Sequence, residues 1–234
     1  MHRNNEFINV FMEKNWSTKA LFLFGKWLWM EEKYGYALLC MHGPQWGLKI
    51  GAQLSICWSD VINFKDGSCK DIMHIAKKQN IGRPINNFLK SSIEYAYSNL
   101  EIHSFDEHMY INYNVHTPLT ASTLNRDLQI RSKQFEKFVF ANTGKKLNFK
   151  PIKTNAFEIA WALDVLNKYN YSKQAFNKVS AHMGHRTLKD TIELLGVEPH
   201  EPEVIIDYEN INGFVFSPKF EKDDFVKEIE LHLD

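Results

Sequence analysis

Two histidines flank a dipeptide in His182-Met183-Gly184-His185, a spacing that suits metal ligation. No cysteine, aspartate or glutamate cluster nearby completes a ligand set, so no metal site is expected there and no cofactor is implied. Cys40, Cys57 and Cys69 show neither metal nor disulfide spacing and fit a reducing cytoplasm. A phosphate-cradling Walker loop, a Gly-x-Gly-x-x-Gly fingerprint and a Gly-x-Ser-x-Gly elbow are all missing from the sequence. Charge says more. The formal net charge is zero, yet eleven acids against three lysines crowd into residues 198 to 234. The other 197 residues hold 25 basic and 17 acidic side chains. A basic body with an acidic appendage is one pattern of a nucleic-acid binder, and a solvated acidic helix is the plainer account of that appendage.

Gly47-Leu48-Lys49-Ile50-Gly51-Ala52-Gln53-Leu54-Ser55-Ile56-Cys57-Trp58-Ser59-Asp60-Val61 resembles the opening catalytic motif of tyrosine recombinases, the phage-integrase family. Met183-Gly184-His185-Arg186-Thr187 resembles that family's Leu-Gly-His-Ser-Ser box. The resemblance covers roughly residues 17 to 196. It implies a reaction in which a tyrosine oxygen attacks a DNA phosphate while two arginine forks, a hairpin lysine and histidines stabilise and protonate. Carried over position by position, the first arginine falls at Lys49, which keeps the charge but not the bidentate fork. The hairpin lysine matches Lys77 or Lys78, the second being preferred; an ordinary solvated strand edge explains the pair equally well. The His-x-x-Arg box falls on Pro151 and Thr154, or after a one-residue slip on Lys150 and Lys153. His185 is retained. The nucleophile, nine residues further on, is Leu194.

Loss of one preorganised donor costs about 2.7–4 kcal/mol, so two lost forks remove roughly 5–8 kcal/mol if additive, about 10⁴ to 10⁶ in rate. The missing hydroxyl by itself rules out strand transfer. Tyr208 in Ile206-Asp207-Tyr208-Glu209 is the alternative phenol, but its two acidic neighbours repel phosphate.

The elements that must position these groups follow from periodicity and punctuation. Helical spacing marks residues 6 to 14 and 17 to 42, interrupted near Glu31-Glu32-Lys33. Gly43-Pro44 is expected to break that helix, and Gly47 to open another running through Leu54 and Cys57. Residues 61 to 64 and 71 to 76 read as a hairpin around Asp66-Gly67, with a third strand at 82 to 85. A helix over 87 to 100, a brief strand at 109 to 112 and a long helix capped by Thr120 or Ser122 follow. Further helices are expected at 153 to 168, 173 to 183, 187 to 195 and 223 to 233, with a possible strand at 213 to 216. The apolar stripe of Phe22, Phe24, Trp27 and Trp29 reads as helix core. Leu194, on a helix with Leu188, Ile192 and Leu195, is expected in core or interface packing.

These readings predict a mainly α fold with a small antiparallel β-sheet, an α+β layout like a tyrosine-recombinase catalytic domain. Residues 1–197 are expected to form that domain and 198–234 an acidic C-terminal tail. Only about 16 residues precede the first matching helix, so no DNA-clamping arm domain is expected before it. No apolar run is long enough to span a bilayer and no leader is evident, so a cytoplasmic location is expected. The function expected is that of a catalytically inactive recombinase-like protein serving integration or excision of a mobile element. Its partner would be duplex DNA, bound weakly and salt-dependently through Lys49, Lys77, Lys78, Arg126, Lys153, His185 and Arg186, with Arg131 a further candidate. A recombinase, or self-association through the tail, is a second partner class. A protein–protein regulatory module without DNA affinity is the alternative, followed by an active recombinase using Tyr208.

Overall fold

The computed structural model describes residues 16–74, 82–147, 150–199, 216–218 and 220–232. Helix α1, Thr18–Met30, starts where the Ser17 hydroxyl accepts the Ala20 N–H at 3.2 Å. It is apolar on nearly every side, and Leu21, Leu23, Phe24 and Leu28 are fully buried, as suits a central helix. Helix α2, Tyr34–Trp46, folds back on α1 across a turn in which Glu32 has φ +58°. The two approach closely because Gly25 lacks a side chain; a Cβ there would lie 2.8 Å from Met41 Cγ. Phe22, Phe24, Trp27 and Trp29 are all buried, as the stripe predicts.

Gly43-Pro44 does not break the helix. Pro44 lies inside α2, which runs on to Trp46. The reason is packing: a Cβ at Gly43 would stand 2.9 Å from Phe157 Cγ, so α2 is pressed against the helix carrying Phe157. The Gln53 amide donates to the carbonyls of Leu48 (2.7 Å) and Gly43 (3.3 Å), satisfying the frayed end. The helix expected from Gly47 to Cys57 is instead two single turns, α3 (Ile50–Gln53) and α4 (Trp58–Val61). Cys57 restarts the helix, its N–H donating to Asp60 Oδ2 at 2.8 Å.

That restart displaces the first expected strand. Val61 ends α4, and Ile62 makes only an isolated bridge to Cys69. The Asp66-Gly67 turn does form, closed by Gly67 N–H to Asn63 O, with Gly67 at φ +71°. Strand β1 (Ile72–His74) pairs antiparallel with β2 (Gly82–Pro84), placing Met73 opposite Arg83. Helix α5 is Asn87–Asn99, capped by Asn86. A second two-stranded ladder joins β3 (Ile111–Asn112) to β4 (Thr117–Pro118). Helix α6, Ala121–Thr143, follows Thr120, and its C-terminus is Gly144 at φ +71°. Then come α7 (Ala156–Lys168), α8 (Lys173–Met183), α9 (Leu188–Leu195) and α10 (Lys222–Glu230). Among the described residues the fold is mainly helical with two short antiparallel ladders.

Helix α7 belongs to two cores. Phe157 and Ala160 join the main core with α1, α2 and Phe135 of α6. Trp161, Val165 and Leu166 join a second core with Phe176, Val179, Met183 and Leu195 from α8 and α9. Helix α10 closes the main core from the acidic segment: Phe225 and Ile229 are buried, and Phe225 packs 6.1 Å from Phe138. Glu228 reaches Lys26 at 2.6 Å and Lys19 at 3.3 Å, so this acidic helix serves its own chain's α1. The expected helix at 6 to 14, Lys77, Lys78, Tyr208 and all but the last residue of the expected strand at 213 to 216 lie outside the described residues. Among those described, no helix is long and apolar enough to cross a membrane.

Candidate phosphate-facing cleft

A cavity of about 400 Å³ opens where the loop before α7 meets α9, lined by Trp16, Lys150, Pro151, Lys153, Ile159 and Leu194 among others. The loop is pinned on both sides. Trp16 Nε1 donates to Lys150 O at 3.0 Å, and Thr154 N–H donates to Asn125 Oδ1 at 2.8 Å, docking the start of α6 against it. Two exposed ammonium groups, Lys150 and Lys153, therefore share one concave surface with Leu194. Leu194 does not join the core: it is 37% exposed, because Thr191 and Leu195 take the buried face of α9.

Lys49 comes to the neighbouring turn. Gly47 ends α2 at φ +59°, and a Cβ there would fall 2.2 Å from Trp161 Cδ2, so only glycine meets both demands. The His182 ring stacks on Trp161 at 3.9 Å and shares a hydrogen bond with Gly47 O at 3.0 Å. Burial, and then the charge of Arg83, push its imidazole down to about 4. His182 is thus a neutral strut, not a phosphate ligand. Beyond this anchor the exposed Lys49 side chain reaches over Gly184; a Cβ built there would stand 3.6 Å from Nζ.

The next residue, His185, is half-buried. Its N–H donates to Ser180 O, and its Nδ1 shares a 2.8 Å hydrogen bond with Thr191 Oγ1. Arg186 is exposed beside it. Glu158, in the first turn of α7, sits within the field of Lys49: burial raises its carboxyl and the ammonium lowers it, for a net rise. The first turn of α7 therefore has the Lys150–Lys153 cavity at Ala156 and Ile159, and Glu158 within the field of Lys49.

Other expected contacts are placed differently. Arg126 is exposed on α6, close to Asn125, with its Nε 3.7 Å from Asp127. Arg131 is half-buried, its guanidinium 4.4 Å from the Tyr36 ring centroid, and it lines a separate small cavity with Tyr34 and Tyr113, away from the Lys150–Lys153 cavity. Of the two candidate pairs at the His-x-x-Arg position, Lys150, Lys153 and Pro151 all line the cavity, and only the lysines bring charge to it. Arg83 and Glu158 were not singled out in the sequence, because nothing in their local spacing shows that β2 and α7 converge on Gly47 and Lys49. A separate cluster of Glu101, His103 and His116, whose ligand atoms lie within 4.8 Å of one another, also has no signature in its spacing. The chain matches no family model, no curated protein and no solved structure.

Proposed function

We propose that the chain is a catalytically inert protein of tyrosine-recombinase type that holds duplex DNA by its phosphates, as an accessory factor in recombination of a mobile element. The observation that supports it is a convergence. Residues 49, 150 to 154 and the 185–194 segment are far apart in sequence and are singled out jointly by the family resemblance. Lys150, Lys153 and Leu194 line one cavity, while Lys49 meets the Gly184-His185 turn across the first turn of α7.

The chemistry left is grip without cutting. Three lysines provide point charges that attract phosphate without fixing its orientation. Leu194 offers a hydrocarbon where attack needs an oxygen. Contacts of this kind position a protein on DNA without reading its bases, and binding then weakens steeply with salt.

A gel-shift titration of the full chain against duplex DNA at low salt tests this reading. The expected result is retardation that fades with salt and is lost in the Lys49→Glu/Lys153→Glu double variant. Each phosphate contact removed should flatten the logarithmic salt slope by about 0.9. A nicked suicide substrate is expected to trap no covalent complex; one abolished by Tyr208→Phe would overturn the inert assignment. Failure of the wild-type chain to retard DNA at any concentration would leave the protein–protein module standing.

A further inference from the structure

Away from the cleft, the segment between α5 and β3 folds back on α4 and its approach. Its backbone is tied down by Ser59 N–H to Phe105 O (2.7 Å), Trp58 N–H to Glu107 O (3.1 Å) and Met109 N–H to Ile56 O (2.9 Å). On this frame the rings of His103 and His116 stack at 3.7 Å with 14° between their planes. His103 Nε2 lies 3.2 Å from Glu101 Oε1, and His116 Nδ1 lies 2.9 Å from Glu107 Oε1. The second oxygen of Glu107 accepts the His103 backbone N–H at 3.1 Å. His116 itself has φ +47°, a left-handed conformation uncommon outside glycine, so the surrounding backbone dictates where its ring stands.

We propose that Glu101, His103 and His116 form a three-ligand site for a zinc-class divalent cation, with Glu107 as a positioning residue. One ligand atom from each of the three lies within 4.8 Å of the others. Two imidazoles and one carboxylate are a set that Zn²⁺ accepts, with a fourth position left to water. Mg²⁺ and Ca²⁺ favour oxygen ligands instead. The carboxylate of Glu107 on His116 Nδ1 holds the proton there and presents Nε2 as the coordinating atom, an outer arrangement typical of metal-bound histidine.

The ring lone pairs lie in the ring planes, so loading requires the stack to open. The side chains that must turn are His103 and Glu101, 55% and 80% exposed, while His116 stays fixed by Glu107. The Glu101–His103 hydrogen bond is given up when both take the same ion. This site uses none of the cleft residues, and its test is independent of DNA.

The test titrates the full chain with Zn²⁺ against a chromophoric chelator at neutral pH, with Mg²⁺ and Ca²⁺ as comparison ions. The expected result is one Zn²⁺ per chain, displaced by neither comparison ion. That binding should disappear in His103→Ala and weaken about 10–100-fold in Glu107→Gln. Because His103 and Glu101 are exposed, His103→Ala and Glu101→Gln should keep the wild-type circular dichroism, so loss of binding in either reports lost ligation. Co²⁺ in place of Zn²⁺ should show ligand-field bands without thiolate charge transfer. No one-to-one Zn²⁺ binding by the wild type, unchanged binding in His103→Ala, equal binding of Mg²⁺, or a thiolate band placing the ion on a cysteine would each overturn the assignment.

Discussion

If the cleft takes phosphate as proposed, Glu158 limits how well it attracts an anion. A carboxylate beside Lys49 competes with phosphate for the same ammonium, at a spot where partial burial strengthens the interaction. Glu158→Gln should therefore tighten DNA binding several-fold at low salt, measured by fluorescence anisotropy. The wild-type carboxyl is held above its ordinary value, so it takes up its proton at a higher pH than a solvated glutamate does. The advantage of the variant should accordingly shrink as the pH is lowered and the wild-type carboxyl takes up its proton. Identical affinities across that range would mean that Lys49 does not meet DNA. Gly47 works at the same scale by different means, since its left-handed φ and its lack of a Cβ let Trp161 and His182 set the base from which Lys49 extends.

Among the elements, α10 shows how an acidic surface sequence can hide a core helix. Phe225 and Ile229 lie one turn apart and share the buried face, while Asp223, Asp224 and Glu230 stay exposed. Phe225→Ala should destabilise the protein by about 3–5 kcal/mol, read from the urea midpoint. The sequence made α8 legible to the residue and α5 to within one, because apolar periodicity there agrees with caps at Ser172, Gly184 and Asn86. It misled at Pro44, where local punctuation argued for a break and contact with Phe157 won. The strand expected at 61 to 64 failed for a similar reason, as the Cys57–Asp60 cap carries the chain into a helical turn. At the cleft, the family resemblance singled out Lys49, His185 and Leu194. The hydrogen bond from Thr154 to Asn125 and the approach of Glu158 to Lys49 depend on how α6 and α7 dock, which no local spacing encodes.

Across the whole molecule, stability in acid should be set by histidines that fold neutral. His42 is fully buried, 2.9 Å from Ser92 Oγ, and burial pushes it down to about 3; His182 is held at about 4. Both folded values lie below that of an unfolded imidazole, so the unfolded chain binds more protons once the pH drops below about 6.5. Their stabilising contribution is complete above that pH and is lost as the pH falls toward the folded values. For His42 alone the loss is about 3 kcal/mol by pH 4. The urea midpoint should fall between pH 7 and 4, and His42→Gln should flatten the fall; an unchanged slope in that variant would count against His42 as the source. Glu228, whose burial is outweighed by Lys26 and Lys19, is held low and adds to the same loss at the acid end of that range.

The seat of α10 on α1 bears on how the chain is made. Phe24 and Trp27 pack on Phe135, more than a hundred residues later, and Phe135 in turn packs on Phe225, so this aromatic core is not complete until both have been synthesised. A nascent chain stalled before Ile229 leaves the ribosome's exit tunnel therefore presents an open aromatic trough, the kind of surface that holdase chaperones bind.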